Sequence, residues 1–180
     1  KAAITPDALM RLSAAHHNPD KNDWLQLLLQ KADHYSSGAD RSKEDSWGWK
    51  DAEEENDNAW DKFRRIKMRS IFEGIDPDNA EKEGFNPDYQ KRLNTVAIEL
   101  SDTFFPVAEN DGLPDYQKLW SDFLTETKFI QAKSFKVFAE TMLFLLEKYT
   151  SRIPSSTMHL PDVSLYDHSK TVAAFAVALY

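Results

Sequence analysis

Apolar positions recur at three- and four-residue spacing in several separate stretches of the chain, and that period predicts helices. Leu25, Leu28, Leu29 and Ala32 form one stripe. Tyr116, Leu119, Trp120, Phe123 and Leu124 form a second, and Phe135, Phe138, Met142, Leu145, Leu146 and Tyr149 a third; both read as core. Helix limits follow from local chemistry. A first helix is predicted from Thr5-Pro6, since proline is tolerated at the first helical position, to about His17, because Pro19 lacks an N–H and disfavours helical backbone at Asn18. A second is predicted from an Asn22 cap to about Ser36, with Gly38 just beyond it in the position suited to a left-handed stop. Between residues 62 and 112, "KMRSIFEGI" and "LNTVAIEL" read as short strands or irregular packing segments, separated by turn signals at Asp76-Pro77, Gly84 and Asn86-Pro87. A last helix is predicted from Ser164 to Tyr180, apolar nearly all round in its second half and therefore expected to be buried. The fold class is mainly α, a helical bundle with short irregular or strand segments in the middle.

Composition narrows the chemistry. The chain has 180 residues, enough for one domain with a sizeable core, and no cysteine. Disulfides and thiolate metal sites are thereby excluded, and a cytoplasmic setting is favoured. The longest apolar run, "VAAFAVALY", falls well short of the roughly 20 residues of a membrane span. The net charge of −8 argues against a phosphate-gripping surface, but it is unevenly placed. The stretch "EDSWGWKDAEEENDNAWD" at 44–61 holds eight acids and one lysine and so carries nearly all of it. Residues 42–61 therefore read as a solvated, mobile acidic insertion, with Trp47, Trp49 and Trp60 as anchor points.

The candidate chemistry lies at the first helix end. Neighbouring helical residues point about 100° apart, so His16 and His17 share a target only where the helix is ending. Asp33 sits at the edge of the first apolar stripe, one turn past Leu29, where a carboxylate needs a partner. A divalent metal shared with His16 and His17 would satisfy it, held by nitrogen and oxygen. Equally, Asp33 could cap a turn or meet a Lys or Arg, with both histidines at the surface, favoured by the negative helix end.

Two longer strings, "HHNPDKNDWLQLLLQKADHYSSGADR" and "RIPSSTMHLPDVSLYDHSKTVAAFAVALY", resemble the HD nuclease region of the large signature subunit of type III-A (Csm) CRISPR interference complexes. That family shows a His-His pair, an Ala-Asp followed by Ser-Gly, and a later "PSST…SLYDHS" block in the same order. "RSIFEGI" and "FFPV" extend the likeness loosely through the middle. The resemblance implies an HD-like helical bundle and a metal-dependent phosphodiesterase that cuts single-stranded DNA in antiviral defence. It acts within a complex of other Csm subunits, crRNA and target RNA. His16, His17 and Asp33 carry over as catalytic metal ligands, with Mn, Ni or Co favoured over Zn or Mg. His34 receives no role and is expected to face solvent.

The resemblance also implies a circularly permuted motif order, in which the helix opening at "YDHS" contributes His168 as a further ligand. The last helix should then lie against the first two, with His168 within roughly 10 Å of His16, His17 and Asp33 and with Val172 and Ala176 beneath it. Asp167 is better suited to capping or orienting a neighbour. The family's His-Asp dyad precedes the His-His pair, and no such dyad precedes His16 here. The chain is thus expected to be a single HD-like domain, incomplete at its N-terminus and weakly active by itself. The alternative is a nuclease-inactive HD scaffold that docks the palm domain and the crRNA-holding subunit.

Overall fold

Asp23, one residue after the expected Asn22, starts the second helix. Its carboxylate accepts hydrogen bonds from the backbone N–H groups of Leu25 at 3.0 Å and Gln26 at 3.3 Å, which have no partner within the helix. The Gln26 amide closes the cap, donating to Asp23 at 3.0 Å and accepting from the Asp20 backbone N–H at 2.9 Å. Asn22 instead donates its own N–H to the Asp20 carboxylate at 2.9 Å in the preceding turn. Asp23→Ala is expected to lower stability by about 1 kcal/mol in a urea titration. An unchanged midpoint would mean that the cap is redundant.

The computed structural model describes residues 6–41, 64–71, 91–99, 107–108, 112–156 and 161–180. Among these the chain is mainly helical, with α1 at Pro6–Ala14, α2 at Trp24–Arg41, α3 at Tyr116–Thr127, α4 at Phe135–Thr150 and α5 at Leu165–Leu179. Two short strands, β1 at Lys91–Arg92 and β2 at Val107–Ala108, pair antiparallel with Lys91 opposite Ala108. "KMRSIFEGI" and "LNTVAIEL" are irregular where described, joined by the bridge between Arg69 and Arg92 and by the hydrogen bond from Leu93 N to Met68 O. The acidic segment 42–61 lies outside the described residues. No helix among the described residues is long and apolar enough to cross a membrane.

Two helix ends and the cover of one helix differ from expectation. α1 ends at Ala14, and residues 15–17 form a turn closed by Asn18 N donating to Ala15 O at 2.9 Å. α2 continues past Ser36 to Arg41 and carries Gly38 inside it; a single glycine costs a helix only about 1 kcal/mol and does not by itself end one. The third difference is one of burial. No residue of α5 is buried; Val177 is 79% exposed, and Tyr180, just past the helix end, is 83% exposed, because the contacts that α5 makes among the described residues, with α2, cover one stripe and leave much of its apolar second half outside.

The chain forms two compact units, residues 1–49 with 167–180, and residues 50–166. In the first, α1 meets α2, and α5 runs antiparallel to α2: Trp24 faces Tyr180 with ring centres 5.4 Å apart, and Tyr35 faces Phe175 at 5.6 Å. In the second, α3 packs on α4, each opened by its own cap. Asp115 accepts from Lys118 N at 2.8 Å, and Ser134 from Val137 N at 3.3 Å. Leu119, Leu145 and Tyr149 form the core between them, supported by Ala97, Phe123, Ile130 and Ile153.

The two apolar stripes of this second unit are only partly core. Trp120, Leu124, Phe135, Phe138 and Leu146 are exposed, because α3 and α4 meet along narrow seams. Lys148 joins the Glu99 and Glu126 carboxylates at 2.8 and 2.6 Å. The Glu126 and Glu99 hydrogen bonds hold the ammonium above the ordinary lysine range, and the same bond to Lys148 lowers Glu126. Burial, with Glu126 beside it, pushes the Tyr149 hydroxyl up to about 12.

Candidate metal centre

The early end of α1 explains the histidine pair. Because residues 15–17 turn, the two rings are not held 100° apart and instead lie side by side, with centres 3.9 Å apart and planes tilted by 43°. His16 Nδ1 meets the backbone carbonyl of Ser13. A carbonyl can only accept, so the proton sits on Nδ1 and the His16 Nε2 lone pair is left to bind a cation. A backbone partner of this kind commonly fixes a metal-binding histidine.

Asp33 approaches from α2. One ligand atom from each of His16, His17 and Asp33 lies within 4.8 Å of the others, with His16 and Asp33 half-buried and His17 exposed. Two donors on one ion stand at most about 4.3 Å apart for metal–ligand bonds of about 2.0–2.2 Å. The three ligand atoms are thus within about half an ångström of the span that one ion requires. Two imidazoles and one carboxylate suit a divalent first-row ion, so the donors fit such a metal. No lysine or arginine pairs with Asp33 among the described residues.

α5 brings a further histidine to Asp33. His168 Nε2 lies 3.1 Å from Asp33 Oδ1, although 135 residues separate them in sequence. Both side chains are mostly covered, with exposures of 16% and 18%. Val172 and Ala176, the next two positions along this face of α5, are half-buried. The structure thus groups His16 and His17 with the Asp33 carboxylate and sets His168 against that same carboxylate, outside the three-residue cluster. His34 is exposed, as its position one residue on from Asp33 predicts. Asp167 is also exposed, and its backbone carbonyl accepts the Thr171 hydroxyl at 2.8 Å within α5.

Sequence reading missed Ser36. It is 1% exposed, one turn beyond Asp33 on the same face of α2, and its Oγ lies 3.0 Å from His168 Nδ1. The i, i+3 spacing from Asp33 was the available signal.

No family model matches the chain, and no solved structure matches it. Among curated proteins it is 34% identical over 189 residues to a protein of Methanocaldococcus jannaschii named CRISPR system single-strand-specific deoxyribonuclease Cas10/Csm1 of subtype III-A. That alignment covers 98% of this chain and 21% of the relative. The chain is similar to one segment of this relative. A Streptococcus thermophilus protein of the same name is 29% identical over 175 residues, covering 95% of the chain and again 21% of the relative. The chain therefore spans about a fifth of the length of these Cas10/Csm1 relatives.

Proposed function

We propose that this chain is the metal-binding nuclease segment of a type III-A CRISPR effector subunit and acts on single-stranded DNA. The observation that carries the reading is the meeting of His168 with Asp33 at 3.1 Å beside the His16–His17 pair. Residues so far apart in sequence converge on one half-buried carboxylate, and both relatives are named for single-strand-specific DNase activity.

Each residue has a definite part in this reading. Asp33 supplies the negative charge that a divalent cation needs. His16 presents Nε2 because its Nδ1 proton is held by Ser13. His17, exposed at the rim, adjusts to complete the coordination, and His168 holds the Asp33 carboxylate in place or joins it as a ligand. A bound divalent ion would supply charge stabilisation at a phosphate and lower the pKa of an attacking water. Mn, Ni or Co are favoured, within a cytoplasmic complex that carries the other Csm subunits, crRNA and target RNA.

The full-length protein with Mn²⁺ should cleave single-stranded but not duplex DNA, and His17→Ala should reduce the rate at least about 100-fold by removing a ligand. Equal cleavage by the variant would exclude this centre. The alternative, a nuclease-inactive scaffold that docks the palm domain and the crRNA-holding subunit, is favoured by the exposed apolar side chains of the second unit, Trp120 at 60%, Phe135 at 84% and Phe144 at 65% among them. A scaffold would assemble normally and show no metal-dependent cleavage.

A further inference from the structure

We infer that Ser36 is a positioning residue that partners Nδ1 of His168 in either tautomer and so holds the ring in place while the centre takes a cation; this rests on the metal-site reading above. Ser36 lies in the interior of α2, where a serine hydroxyl ordinarily bonds back to the carbonyl one turn earlier. Here both of its hydrogen bonds among the described residues go to His168, one to Nδ1 at 3.0 Å and one to the backbone carbonyl oxygen at 3.4 Å. The side chain is 1% exposed, so water cannot stand in for either partner.

The ring has two neighbours with different demands. A neutral imidazole carries one N–H and one lone pair. When Nε2–H donates to Asp33 Oδ1, Nδ1 holds the lone pair and the Ser36 hydroxyl must donate to it. When a cation sits against Asp33, Nε2 must turn its lone pair outward and the proton moves to Nδ1. Ser36 Oγ then accepts that proton's hydrogen bond, and its own hydrogen has a place to go, the His168 carbonyl at 3.4 Å. The ring keeps a single proton in both states.

A carboxylate or a carbonyl in place of Ser36 could serve only the second state, because neither can donate. A hydroxyl serves both, so the ring stays in one position while its tautomer changes. Alanine would leave Nδ1 buried without a partner in either state, and partners of this kind typically alter metal affinity by about 10–100-fold.

The test uses the full chain with Zn²⁺, which suits the donor set and is diamagnetic. Calorimetry should show that Ser36→Ala weakens Zn²⁺ binding about tenfold or more, and that Ser36→Thr, which keeps the hydroxyl, recovers most of the loss. In the wild-type chain, ¹⁵N spectra of the histidine rings should place the His168 proton on Nδ1 once Zn²⁺ is bound, the state in which Ser36 Oγ is the acceptor, while the rescue by Ser36→Thr ties the affinity to the hydroxyl rather than to packing. A Ser36→Ala affinity within about twofold of wild type, or a Zn²⁺-loaded ring without a proton on Nδ1, would overturn the role of Ser36 alone. Failure of the wild-type chain to bind Zn²⁺ would overturn the metal-site reading and this inference together.

Discussion

Asp33→Ala is expected to abolish the stabilisation that Mn²⁺ gives to the protein. A ligand that binds only the folded state at about 100 times its dissociation constant adds about 2.7 kcal/mol. For a chain of this size that corresponds to a rise in Tm of about 5–10 °C. Asp33 is the one carboxylate of the candidate set, and it lies close to His16, His17 and His168 at once. Its removal takes the charge attraction and the point of convergence together. His17→Ala should lose part of the gain, because His17 is exposed and contributes one neutral donor. Thermal scans with Mn²⁺ and with a chelator measure the difference directly. If Asp33→Ala keeps the full Mn²⁺-dependent rise, the cation binds elsewhere and the assignment of this centre fails.

Leu145→Ala should have the largest effect away from the site. Leu145 is 5% exposed and joins Leu119 and Tyr149 in the core between α3 and α4. Truncating a buried leucine removes its transfer free energy and leaves a cavity, at a cost of about 2–5 kcal/mol. This core is small, so few neighbours can move in to fill the space. Phe135→Ala provides the contrast. Phe135 sits in the same sequence stripe but is 84% exposed, and its loss should change stability by no more than about 0.5 kcal/mol. Urea unfolding of both variants separates the two positions. Similar midpoints would show that the stripe is covered uniformly in solution, against the burial pattern.

Local rules determined much of this protein. The 3.6-residue period marks α2, α3 and α4 within a few residues of where they lie, because a helix is specified by side chains one turn apart. The chemistry of the site was also legible. A histidine pair just before a proline, an acid at the edge of an apolar stripe, and a histidine opening the last helix were each visible as residue types in position. The errors at helix limits have equally local causes. The Asp23 carboxylate outcompeted Asn22 for the cap, and Gly38 stayed helical because one glycine costs less than the surrounding turns gain.

Periodicity says that a face is apolar but not what covers it. Trp120 and Leu119 belong to one stripe, yet Leu119 is buried at 7% and Trp120 is 60% exposed, because only the geometry of α3 against α4 decides which meets the seam. The apolar half of α5 was read as buried for the same reason and is open on most sides. The site shows the same division. The sequence by itself supplied His16, His17, Asp33 and His168 as candidate donors. Only the tertiary structure decided that α5 runs antiparallel to α2 with His168 over Asp33, that the α1 end turns early enough to bring two rings together, and that Ser36 is sealed behind His168. Contacts between residues 135 positions apart depend on the packing of whole helices, whose apolar faces are compatible with several neighbours, and no local signal selects among them.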